Sequence, residues 1–150
     1  MQAISSELRQ LIEEYLPRLE AVPEEQMNFK PLPKKWSKKE IIGHLADSAQ
    51  NNIRRFIVAQ YEDEPHIVYK QDEWVNITSY QQYDLDDLIQ LWWVLNKHIC
   101  HILENITPEQ SRRICRSENS HTIEWLAADY IKHLKHHIHQ VLNLEPFDYP

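Results

Sequence analysis

The chain has 150 residues, a length that suits one domain over residues 1-150 with a single core. Its 16 basic and 23 acidic residues leave a formal net charge of -7, a field that repels nucleic-acid phosphates and anionic lipid, so no nucleic-acid partner is expected. No run approaches the roughly 18 apolar residues of a membrane span, and a lone glycine disfavours an all-β fold built on tight hairpins.

The first predicted helix follows Ser5 and Ser6, with Leu8, Leu11, Ile12, Tyr15 and Leu19 at helical spacing and Pro17 as a kink or early stop. The charged positions Glu7, Arg9 and Glu13 interrupt this segment, so it does not read as a signal peptide. VPEEQMNFKPLPKKW, with Pro23, Pro31 and Pro33, then reads as an irregular connector. In WSKKEI, Ser37 is the N-cap of a second helix, Glu40 its capping-box partner, and Trp36 with Ile41 the hydrophobic staple. That helix is expected to run to about residue 60.

Residues 61 to 83 are mixed and aromatic and longer than most connections, which suits either a lid over a binding site or a loop packed by its own aromatics. Asp84 caps a third helix, with Asp87 in its first turn and a stripe of Leu85, Leu88, Leu91, Trp92, Leu95, Ile99 and Ile102. Thr107, Pro108 and Gln110 start only a short helix before RRICRSENS. Thr122 opens the last long helix, which carries Leu126, Tyr130, Leu134, Ile138 and Val141 and which Pro146 is expected to end. Four long amphipathic helices predict an all-α four-helix bundle. Cys100 and Cys115 lack CxxC spacing and read as ordinary thiols of a reduced, cytoplasmic protein.

Four of the nine histidines crowd into HLKHHIHQ, residues 133 to 140. At about 100° per residue, His137 lies about 40° from His133 on the side of Leu126, Tyr130 and Leu134, while His136 and His139 fall on the side of Lys132, toward solvent. In the third helix His98 sits at the edge of the stripe and His101 off it; His66 and His121 lie outside the long helices. His44 looks inward beside Ile41, Leu45 and Ala49. An i, i+4 histidine pair can offer two imidazoles to one metal, although the same spacing also serves purely structural pairs. A third imidazole from a neighbouring helix would complete a set that leaves a coordination position open. Asp47 and Asp129 stand where they could orient His44 and His133. Gly43, inside a helix at a cost of about 1 kcal/mol relative to alanine, implies close approach of a helix or a ligand.

KWSKKEIIGHLADS (35 to 48), YKQDEW (69 to 74) and HLKHHIHQ together resemble the DinB superfamily, in particular its YfiT-like branch. The resemblance implies an up-down-down-up four-helix bundle, commonly a homodimer, with one divalent metal ion, nickel or zinc, held by His44, His133 and His137. It further implies metal-dependent hydrolases, or transferases working with a low-molecular-weight thiol such as bacillithiol; the mycothiol-dependent maleylpyruvate isomerases share the bundle. Gly43 and Gln140 occupy positions where some YfiT-like sequences carry further histidines.

Three functions follow as expectations. The first is a thiol S-transferase-like enzyme acting on a small-molecule substrate, with Tyr69, Asp72 and Trp74 shaping the pocket. The second is a hydrolase that uses metal-activated water. The third is a non-catalytic metal-binding stress protein. For dimerisation the sequence offers only a surplus of tryptophan, with Trp93 off the main stripe of the third helix.

Overall fold

A computed structural model of the chain describes residues 1–149. Four long helices, α1 (Gln2–Glu20), α3 (Lys38–Val58), α5 (Leu85–Asn105) and α6 (Ile123–Leu142), form a four-helix bundle. Short helices α2 (Glu24–Asn28) and α4 (Gln71–Thr78) lie in the connections. α1 and α3 each pack on both α5 and α6, so the consecutive long helices α1 and α3 stand on one diagonal of the bundle. Trp92, Phe56, Leu8, Ile12, Ile42 and Leu103 fill the core between them.

The α3 start shows how the sequence dictates its own boundary. Ser37 Oγ accepts from the Glu40 amide, and the Ser37 amide donates to Glu40 Oε2 at 2.7 Å, which closes the capping box. α5 and α6 begin the same way, with Asp84 accepting from the Asp87 amide and Thr122 from the Trp125 amide.

Several expectations are corrected. α1 begins at Gln2, ahead of the serines, and buried Ser5 instead ties α1 to α5 by donating to the Cys100 carbonyl at 3.1 Å. Pro17 neither stops nor shortens α1, because its ring faces solvent and only one further turn follows it. α6 ends at Asn143, which adopts the left-handed conformation three residues before Pro146. A small antiparallel hairpin, β1 (Ile114–Arg116) with β2 (Ser120–Thr122), begins within RRICRSENS and turns through Ser117 and Asn119 without glycine. Trp93 is half-buried against the core, with the Lys97 ammonium 3.8 Å from its ring centre. Cys100 and Cys115 are buried free thiols. Among the described residues no helix is long and apolar enough to cross a membrane.

The 61 to 83 segment is more ordered than a loop. It contains α4 and a 3-10 turn, Tyr80–Gln82, and sends Val75 and Tyr80 into the core. Tyr80 explains Gly43: a Cβ there would stand 2.2 Å from Tyr80 Cδ2, so an aromatic ring takes the space a side chain would need. The glycine has no positive φ, so close approach and not backbone freedom is the requirement.

Candidate metal centre

His44 sits on α3, and His133 and His137 sit one turn apart on α6, the neighbouring helix. The bundle brings one nitrogen from each within 4.8 Å of the other two. His44 Nε2 and His133 Nε2 are 3.1 Å apart. The rings of His133 and His137 both meet that of His44 nearly edge-on, with centroids about 5 Å away.

Each ring is held in place by something specific. Trp36, just before the α3 N-cap, lies against His44 at 4.9 Å between centroids. His137 Nδ1–H donates to Gln140 Oε1 at 3.0 Å, which fixes the tautomer and leaves the Nε2 lone pair free. Gln140 Nε2 in turn donates to His136 Nε2 at 2.9 Å. Tyr149 packs on His133 with centroids 5.5 Å apart.

Burial makes all three imidazoles hard to protonate. Desolvation, with the charge of His137 next, depresses His44 to about 3. Desolvation followed by its histidine neighbours depresses His133 to about 2, and desolvation also lowers His137. The neutral form, which carries the ligand lone pair, is therefore kept well below the ordinary imidazole range. An ordinary imidazole of pKa about 6.5 loses roughly tenfold in metal affinity per pH unit below that value. Here proton competition starts far lower at His44 and His133 and below the ordinary value at His137, so divalent-ion affinity measured calorimetrically at pH 5.5 and 7.5 is expected to differ by less than about tenfold. A fall near a thousandfold, three ordinary imidazoles' worth, would contradict the depressed pKa values.

The His44–His133 pair is spaced as two ligands of one divalent metal would be. Two nitrogens each about 2.1 Å from one ion lie roughly 3.0 to 3.4 Å apart in octahedral or tetrahedral coordination, which brackets the observed 3.1 Å. Neutral imidazoles suit zinc, nickel and iron alike.

The carboxylates expected to orient these rings are engaged elsewhere. Asp47 is buried and accepts from the Tyr80 hydroxyl at 2.5 Å; its second oxygen and His44 Nδ1 have no hydrogen-bond partner among the described residues. Burial pushes Asp47 up to about 6, partly offset by the Tyr80 hydrogen bond. Asp129 accepts from Tyr149 at 3.0 Å and not from His133. Neither aspartate therefore bonds its expected histidine directly.

His133 and His137 open onto a cavity of about 1020 Å³, whereas His44 is fully buried behind them. Tyr69 and Asp72 line this cavity; Trp74 does not, and packs edge-on against Tyr69. His136, expected in solvent, is half-buried on the cavity wall because residues 144 to 149 fold back along α6. Its Nδ1–H donates to the Phe147 carbonyl at 2.8 Å, and His139 Nδ1–H donates to that of Glu145 at 2.6 Å.

Fold and site together define a four-helix-bundle protein with a three-histidine constellation of metal-ligand type. The DinB superfamily pattern matches residues 7–141, and the chain belongs to that superfamily. Over 112 residues it is 29% identical to a protein of Oceanobacillus iheyensis described as a "putative metal-dependent hydrolase", covering 73% of this chain and 64% of that one. A protein of Halalkalibacterium halodurans with the same description is 28% identical over 106 residues, 69% of this chain and 61% of its own. The chain thus spans less than two thirds of the length of these two relatives. YfiT from Bacillus subtilis, described as "a probable metal-dependent hydrolase with an unusual four-helix bundle topology", shares the fold with a TM-score of 0.79. The two are 24% identical, over 93% of this chain and 84% of that one.

Proposed function

We propose that the chain is a divalent-metal-dependent enzyme that joins a low-molecular-weight thiol to an electrophilic small molecule, with His44, His133 and His137 as the metal ligands. The supporting observation is a set of three converging imidazoles, His133 and His137 opening onto a cavity and His44 buried behind them, with no carboxylate among the described residues hydrogen-bonded to any of the three. A divalent ion held at that set, nickel or zinc by the resemblance to the YfiT-like branch, would supply the charge that keeps a thiol as thiolate near neutral pH.

The neighbouring groups support thiol over water in this reading. Asp47 and Asp129 each have one carboxylate oxygen engaged by a tyrosine hydroxyl and neither bonds a histidine of the set, and both His136 nitrogens are hydrogen-bonded. At a divalent ion a thiol, starting from a pKa of about 8.5, would be deprotonated outright, whereas bound water, brought down from about 15.7 to about 7 to 9, would keep part of its population protonated near neutral pH. In the reaction the thiol sulfur bonds to the electrophilic carbon, the bond from that carbon to its leaving group breaks, and the leaving group departs with the electron pair. The thiol proton passes to solvent. Tyr69 and Asp72 border the space in which the electrophile sits, and Tyr149 covers the face of His133.

Hydrolysis is the second reading, favoured by the description given to the Oceanobacillus and Halalkalibacterium relatives. One assay separates the two. Metal-loaded protein is given 1-chloro-2,4-dinitrobenzene or 4-nitrophenyl acetate, each with and without a thiol. Turnover is expected only when thiol is present; ester cleavage at the same rate without thiol would reject the transferase.

A further inference from the structure

The cavity in front of the histidines has a second end with different chemistry. From His44 to Arg55 the α3 helix advances about 16 Å and turns by a net 20° or so, which sets the two on one face three turns apart. Ser48, Asn52 and Arg55 all line the cavity along that face. Arg55 is half-buried and braced from behind: Nε donates to the Ile67 carbonyl at 3.1 Å and Nη1 to Asn52 Oδ1 at 3.4 Å. The Ile67 amide is pinned in turn to the Arg116 carbonyl at 2.8 Å.

The outer edge of the guanidinium has no such partner. Nη2 makes no hydrogen bond, and no carboxylate lies within 4 Å of the group, among the described residues. Asp129 and Glu118 attract Arg55 only from beyond contact distance, and one oxygen of Asp129 already accepts from Tyr149. Withdrawing a guanidinium from water without a counter-ion is costly, and arginine is seldom buried unpaired. Here the bracing fixes its orientation and leaves Nη2 free to donate to a carboxylate. Asp72, Glu73 and Glu118, exposed at the rim, oppose a polyanion, so the match is to a molecule with one or two carboxylates and not to a polyphosphate.

We infer that Arg55 is the carboxylate-binding residue of this cavity, and that a molecule worked on at the histidine end carries a carboxylate held there. The inference rests on the reading of the three histidines as the reactive end. Three helical turns separate the two ends, so a molecule touching both is elongated. Either the thiol or the electrophile could bring the carboxylate, and two arms of one experiment distinguish them.

Metal-loaded protein is titrated calorimetrically with glutathione, an elongated thiol with two carboxylates, and with its diethyl ester. The second arm compares 4-chloro-3-nitrobenzoate with its methyl ester. In at least one arm the acid is expected to bind about 10- to 100-fold more tightly than the ester. That preference should fall to near unity in Arg55→Gln and largely survive in Arg55→Lys, while the ester binds variant and wild type alike. The arm that shows it identifies which reactant carries the carboxylate. Equal binding of acid and ester in both arms overturns the inference, as does a preference that persists in Arg55→Gln. The acid-ester comparison in wild-type protein needs no variant, so an unstable Arg55→Gln would leave it decisive. Metal-free protein separates the two readings: an Arg55-dependent acid preference without metal-dependent thiol turnover supports Arg55 and rejects the transferase, and the reverse pattern does the opposite.

Discussion

His44→Ala is expected to weaken divalent-ion binding by more than about 100-fold and to bring thiol-dependent turnover down to the metal-free background. The size follows from the position of the residue. A group that merely orients a ligand typically contributes 10- to 100-fold in metal affinity, so removal of a ligand should exceed the upper end of that range. His44 is the sole member of the cluster on α3, and without it only two imidazoles one turn apart on α6 remain. Gln140→Leu, which removes the acceptor for His137 Nδ1–H, should fall within the 10- to 100-fold range. His136→Ala makes the sharper control. His136 lines the same cavity and its ring lies 5.1 Å from that of His137, yet it is outside the converging set, so its loss should leave metal stoichiometry unchanged. Full metal binding in His44→Ala, or its loss in His136→Ala, would mean that the ligand set is wrong.

Gly43→Ala should destabilise the fold by about 1 to 3 kcal/mol, a fall in Tm of roughly 3 to 10 °C, despite the better helix propensity of alanine. Alanine gains about 1 kcal/mol inside a helix, which alone would raise stability. The added Cβ, however, would lie 2.2 Å from Cδ2 and 2.3 Å from Cγ of the buried Tyr80 ring, whose near edge cannot swing aside as a flexible chain end could. Displacement of Tyr80 would also loosen its hydrogen bond to Asp47. A double-mutant cycle isolates the cause: in a Tyr80→Ala background the Gly43→Ala change should become neutral or stabilising by up to about 1 kcal/mol. Thermal unfolding in which Gly43→Ala alone matches or exceeds the wild type would show that the glycine serves another purpose.

What was legible in the sequence was whatever repeats or acts locally. The capping box at Ser37 and Glu40 needs only three residues, and the observed bonds match it. Helical arithmetic set His44, His133 and His137 toward the interior, and the bundle brings these three together. Contacts that depend on chain reversal left no periodic trace. The same arithmetic put His136 in solvent, correctly for an isolated helix, but the tail covers that face through Phe147 and Tyr149. Gly43 signalled a close approach, yet nothing local said that the intruder was Tyr80, 37 residues on. Asp47 and Asp129 occupied suitable helical positions, but each carboxylate was taken by a tyrosine distant in sequence. The β1–β2 hairpin was hidden for another reason: its turn uses serine and asparagine and forgoes glycine.

X-ray absorption at the edge of whichever divalent metal the native protein carries tests the central claim most directly, since it counts ligands without reference to activity. One equivalent of metal with three imidazole nitrogens at about 2.0 to 2.1 Å, and at least one further light atom from a small molecule or water, is the expected spectrum. A sulfur shell at about 2.3 Å from the protein's own cysteines in thiol-free buffer, or fewer than three imidazoles, would contradict it.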